Sequence, residues 1–297
     1  MPAVQHLAGH EKDLGGGFKV RRLLPAAVRR SVGPFVFFDH FGPVTEQPQD
    51  NHDVRPHPHI GLATVSYLFE GAMMHRDSVG SVQRIEPGAI NWMSSGGGIV
   101  HSERKPDDLR QQAHVNHGLQ LWVALPESAE ESAPTFVHTP AGAIPQLQAD
   151  AAQVRVLVGD AFGARSPVAP ASPTLYLDVE LPRGGVFDLP SLAAELAVYP
   201  VQGELTLDGE PAQRRMLVLQ PGVTARIQAD GPARFVVVGG EPLGPRYMYW
   251  NFVSSRKDRI LQASADWEAG RFPVVPGDDR ESIPLPPTRF TPPEPMS

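Results

Sequence analysis

The chain has 297 residues, 41% hydrophobic and 20% charged, with a net charge of −7, which describes a globular protein rather than a disordered or fibrous one. It has no cysteine, which excludes a disulfide framework, thiolate ligation, iron–sulfur clusters and thiol redox sensing. No basic run exceeds two residues, no apolar run reaches membrane-spanning length, and Met1 to Leu14 lacks a signal-peptide core; direct nucleic-acid binding, membrane insertion and secretion are not expected, leaving a cytoplasmic protein as the default.

The 32 Pro and 28 Gly suit many short strands joined by tight turns. Residues 1–20 read as a lead-in with Gly15-Gly16-Gly17 as a joint, and Pro25 interrupts any helix between Arg21 and Val32. Phe35 to Gly42 is an apolar, aromatic run that reads as a buried strand, with Asp39 and His40 as its polar end. Val54 to Glu70 is the next strand, and Gly71 turns it into a return over Met73 to Ser78. His75 on that return reads as an exposed hairpin histidine, with a role behind a ligand as the lesser alternative. Ser81 to Glu86, Ala89 to Met93 and Ile99 to Glu103 are further short strands. A polar loop follows from Arg104 to Gly118, in which His114 and His117 are expected to face solvent rather than a pocket mouth. Gly118 to Pro126 is a clean strand with Gln120 and Trp122 on one face, where Gln120 can bond a ligand residue and Trp122 can either wall a flat substrate or pack in the core.

From Glu127 to Ala152 the chain turns to Pro, Ala, Ser and Gln, which marks a connection. Strand-like runs resume between Val154 and Val238 at a spacing that suggests a second barrel or sandwich. The expected division is therefore 1–135 and 136–297. His138 is the last histidine, so the second half cannot build an imidazole-rich site. Arg256 to Ala269 reads as a helix capped by Ser254 or Ser255 and docked through Ile260, Leu261, Ala265 and Trp267. The proline-rich tail from Phe272 should run extended, its last ten residues disordered.

Two motifs carry the chemistry. Pro56-His57-Pro58-His59 and His101-Ser102-Glu103 each place ligand types at i and i+2, and alternate residues of a strand share a face. With 11 histidines in the chain, one such pair is a weak signal; the second, after the bend Gly96-Gly97-Gly98, favours one divalent metal held by three imidazoles and a carboxylate. Four protein ligands would close a tetrahedral zinc site, whereas an octahedral metal keeps two positions open.

Phe38-Asp39-His40-Phe41-Gly42, Arg55 to Leu62, Pro87-Gly88, Trp92-Met93, Gly98 to Glu103 and Gly118 to Trp122 resemble the pirin family of bicupins. The resemblance covers the first 126 residues closely and the rest more loosely, through Gly159-Asp160 and Asn251 to Phe272. It implies an all-β chain of two stacked cupin (jelly-roll) barrels with a short C-terminal helix. It also implies one iron in the first barrel on His57, His59, His101 and Glu103, and a second barrel that is apo or scaffold. Where the wider cupin pattern carries a Glu soon after His-x-His, this chain has Ala63 and Thr64, and the carboxylate has moved to Glu103. Several pirin-like proteins open the ring of the flavonol quercetin with dioxygen; others act as metal-dependent partners of transcription factors or metabolic enzymes. The expectation is therefore a flavonol dioxygenase using Fe(II), with Mn, Ni, Co or Zn as alternatives, or else a non-enzymatic iron-binding regulator acting on a protein partner. Glu103 is the expected catalytic base as well as a ligand, and Phe37, Trp92, Met93, Gln120 and Trp122 are the expected apolar pocket.

Overall fold

A computed structural model describes residues 5–288 except Gly16 and Gln213. The chain divides into two compact units. The first comprises residues 11–22, 37–138 and 244–297, and the second residues 1–10, 23–36 and 139–243. Among the described residues no helix is long and apolar enough to cross a membrane.

The first unit is built on a seven-stranded sheet ordered Thr135–Thr139, Ile90–Ser94, Leu62–Glu70, His114–Ala124, Phe35–Glu46, Lys19–Leu24 and His10–Asp13. A four-stranded sheet, ordered Val54–His59, Ile99–Arg104, Met73–Asp77 and Val82–Ile85, completes the jelly roll. The expected loop before Gly118 is shorter than the sequence suggests, because the strand begins at His114. Its early positions are His, Val, Asn and His, which carry no apolar alternation, since the surface they face is polar.

The second unit repeats the plan. Its seven-stranded sheet runs Gln5–Leu7, Met216–Val218, Glu195–Gln202, Ala233–Gly240, Thr174–Leu181, Ala152–Val158 and Gln146–Ala149, beside a four-stranded sheet of Val186–Leu189, Ala225–Gln228, Thr206–Leu207 and Glu210–Pro211. Its interior is packed with Val154, Leu177, Phe187, Leu189, Ile227, Phe235 and Val237. Among the described residues the cluster of three histidines that could hold a metal lies in the first unit, whereas the interior of the second is apolar.

The units depart from the linear division at 135 and 136 at both ends of the chain. Gln5 pairs with Val218, so the lead-in adds an edge strand to the second sheet. The helix, Lys257–Glu268, was grouped with the second half and instead belongs to the first unit. Its buried residues Ile260 and Ala263 join Ile60 and Phe252 in one cluster, because Ile60, just past the first histidine pair, needs an apolar cover. Leu261 stays exposed. The helix carries no side-chain cap. Ser254 and Ser255 are committed to Glu130 instead, at 2.8–3.1 Å.

Glu130 also pairs with Arg246 at 3.0 Å, both groups being buried. Glu130→Ala is expected to cost about 3–5 kcal/mol, because a buried guanidinium loses its counter-charge. Calorimetry of the variant tests this; a melting temperature equal to that of the parent would show the pair to be energetically neutral.

Candidate metal centre

The ligand motifs meet because their strands are neighbours. Val54–His59 and Ile99–Arg104 pair antiparallel with His57 opposite His101, and the register slips between His101 and Glu103. Val54–His59 is the edge of its sheet. The missing donors of Pro56 and Pro58 therefore leave no gap in a ladder. Along that edge the tail docks, with Ile283 N donating to Pro56 O at 2.9 Å, while Arg104 holds the same segment by a bidentate pair to Asp278 at 2.8 and 2.9 Å.

His57, His59 and His101 are all buried, and one ligand nitrogen from each lies within 4.8 Å of the other two. Burial holds all three imidazoles below their ordinary titration range, His57 at about 4 and the others well below 6.5. They are neutral at pH 7, so each ring has one N–H and one lone pair. The hydrogen bonds decide which nitrogen has which. His57 Nδ1 donates to Arg55 O at 2.9 Å, and His59 Nδ1 donates to Asn251 O at 3.2 Å. Behind His101, His75 Nε2 donates to Asp77 Oδ2 at 2.9 Å, which leaves His75 Nδ1 to accept from His101 Nδ1 at 3.4 Å. With His75 neutral, this set of tautomers turns all three Nε2 lone pairs inward, those of His59 and His101 standing 3.1 Å apart. Two facing lone pairs repel unless a cation lies near both, and this is the donor geometry a divalent metal requires.

Glu103 is buried beside this cluster, and its Oε1 has no hydrogen-bond partner. Burial raises its carboxyl to about 7, partly offset by the Ser66 hydroxyl. Its carboxylate lines the same cavity as the imidazoles, outside the group whose atoms all fall within 4.8 Å. An orphaned buried carboxylate oxygen next to three inward lone pairs fits a metal site.

The cavity has a volume of about 590 Å³, within the usual range for a small-molecule site. Of the expected pocket residues, Phe37, Gln120 and Trp122 line it. Trp122 stacks on Phe37 at 4.0 Å and meets the edge of His59 at 5.2 Å, and the Arg22 guanidinium lies 4.3 Å from the Phe37 ring centre. Trp92 and Met93 do not line it. They are consecutive on Ile90–Ser94 and so face opposite ways; Met93 shares the face of Trp122 but sits beyond Thr64, one strand further along.

Several polar residues lie elsewhere than expected. Asp39 lines the cavity and pairs with Arg22 at 2.7 and 2.8 Å. His75 is buried behind His101 rather than exposed. His114 lines the cavity, and His117 is buried against His40, with Nε2 atoms 2.8 Å apart. Glu46, unmarked in the sequence, is a buried hub for Asn116, His52 and Lys105 at 3.0–3.3 Å. The signal for the second layer was available: His75-Arg76-Asp77 repeats the i, i+2 spacing of the ligand pairs.

A jelly-roll pair with three converging imidazoles in one barrel and an apolar core in the other defines an asymmetric bicupin with, among the described residues, one three-histidine candidate metal centre. The chain belongs to the pirin family: the Pirin profile matches residues 17–123, and that of the Pirin C-terminal cupin domain matches residues 176–273. A pirin-like protein of Caulobacter vibrioides is 47% identical over 279 residues, covering 93% of this chain and 96% of the relative. Human pirin is 33% identical over 267 residues, covering 86% and 89%. The crystal structure of a quercetin 2,3-dioxygenase from Acinetobacter baumannii superposes with a TM-score of 0.92 at 31% identity, covering 99% of this chain and 98% of that one.

Proposed function

We propose that this protein is a metal-dependent dioxygenase that opens the central ring of a flavonol such as quercetin, with Fe(II) held by His57, His59, His101 and Glu103. The observation that carries the reading is the set of three buried imidazoles, one nitrogen of each within 4.8 Å of the others, beside an unpartnered buried carboxylate oxygen in a cavity walled by Trp122 and Phe37. The likeness to a quercetin 2,3-dioxygenase over nearly the whole chain supports the same class. Iron, when bound, supplies the redox chemistry that lets dioxygen react with an electron-rich enol.

The chain's own residues supply the rest. A flat ligand entering the cavity meets the Trp122–Phe37 wall, which orients its ring system and excludes water. Glu103, whose Oε1 has no hydrogen-bond partner, is placed to take the proton of the substrate hydroxyl onto that oxygen. Ser66 Oγ lies 2.7 Å from Gln120 Oε1, beside the amide on the pocket wall.

The test is an oxygen-electrode assay. Protein stripped with a chelator and reloaded anaerobically with Fe(II) should consume dioxygen on addition of quercetin and bleach its visible absorbance. Zinc-loaded protein should be inactive, because zinc has no redox chemistry. Turnover that survives chelation would rule the mechanism out. Full iron occupancy without dioxygen uptake would move the reading to a metal-dependent binding protein acting on a protein partner.

A further inference from the structure

The three imidazoles are not backed alike. His57 and His59 donate to neutral main-chain carbonyls, whereas His101 donates to an imidazole whose far nitrogen is anchored on a carboxylate. Strand pairing builds this arrangement, with Asp77 opposite His101 and His75 opposite Glu103. Each member is itself held. Asp77 Oδ1 accepts the N–H groups of Val79 and Ser81 at 3.0 and 2.9 Å, and Phe136 stacks on the His75 ring at 4.2 Å and 13°. Both His75 and Asp77 are shut off from solvent.

We propose that His75 and Asp77 are positioning residues that lock His101 into its metal-binding tautomer and set the metal affinity of the site. The proposal rests on the reading of the three imidazoles as metal ligands. Its logic is a chain of single choices. The Asp77 carboxylate accepts only, so His75 Nε2 must donate to it. In the neutral ring His75 Nδ1 is then bare and accepts, so His101 keeps its proton on Nδ1 and turns a lone pair inward from Nε2. The negative charge at the end of the chain also makes that lone pair a better donor. Neither carbonyl behind the other two histidines brings a charge.

The test measures Co(II) binding, because its ligand-field absorption reports the coordination shell directly. Asp77→Asn should raise the Kd for Co(II) about tenfold, and His75→Leu about 100-fold with shifted ligand-field bands, the range expected for outer partners of a ligand. His75→Gln is the rescue: its amide oxygen can accept the His101 N–H, so it should bind Co(II) clearly more tightly than His75→Leu. Calorimetry of the metal-free proteins separates folding from positioning. Wild-type affinity and spectrum in all three variants would overturn the inference. So would equal weakening in His75→Gln and His75→Leu that follows a loss of metal-free stability, which marks a merely structural role. Failure of the wild-type protein to bind Co(II) would overturn the metal reading and this inference with it.

Discussion

Replacing His101 by alanine should abolish stoichiometric metal binding while leaving the protein folded. Among the described residues the candidate ligand nitrogens form a group of three, each within 4.8 Å of the others, so one deletion leaves two imidazoles and a carboxylate. The loss should exceed the roughly 10–100-fold that changes to outer partners produce. Folding should be affected far less. Truncation leaves His75 Nδ1 without its donor, a penalty of about 1–3 kcal/mol, while the apolar core of the second unit and the cluster around Ile60 and Phe252 are untouched. His57→Ala, His59→Ala and Glu103→Ala should follow the same pattern. Elemental analysis after dialysis against a weak chelator, with circular dichroism as the control, measures both. Full occupancy in His57→Ala and Glu103→Ala would show that the metal is held elsewhere.

Acid should weaken metal binding in a window set by Glu103 alone. In the metal-free protein its carboxyl titrates at about 7, while burial keeps His57 neutral down to about 4 and depresses His59 and His101 as well. At pH 8 Glu103 is about nine-tenths deprotonated and at pH 7 about half, so over that unit the Kd should rise only about twofold. Below 7 the metal must displace a proton from Glu103, so the Kd should rise toward tenfold per pH unit, with one proton released per metal bound. The imidazoles add a steeper loss only in stronger acid. Glu103→Gln should bind more weakly at pH 8 and show no slope down to pH 5.5. Titrations with a chromophoric competitor across this range decide the matter; a wild-type slope that persists in Glu103→Gln would assign the proton to another group.

Much of the candidate site was legible because its proposed ligands come in local pairs. His57 with His59, and His101 with Glu103, needed only the two-residue period of a strand and the assumption that their strands were neighbours. Gln120 and Trp122 were placed on one face by the same alternation, while Phe37, Trp92 and Met93 were chosen as apolar side chains of neighbouring strands; Phe37 lines the cavity and the other two do not, because period alone does not say how far along a sheet a residue sits. His75 was read as exposed because a polar His-Arg-Asp run looks the same on a solvent hairpin as on a buried strand behind a metal site. The docking of the helix turned on Ile60, whose need for cover shows only in three dimensions. The lead-in that pairs Gln5 with Val218 lacked any local signal at all.

The hydrogen bond that aims His59 joins it to Asn251 O, 192 residues later in the chain. At a synthesis rate of about 5–20 residues per second, roughly 10–40 s separate the emergence of these two partners from the ribosome. In that interval the nascent chain carries every ligand side chain while His59 remains free to choose either tautomer, and the edge at Pro56 has no Ile283 to cover it. A chain cut short before residue 251 would keep all four ligands and lack the frame that points one of them.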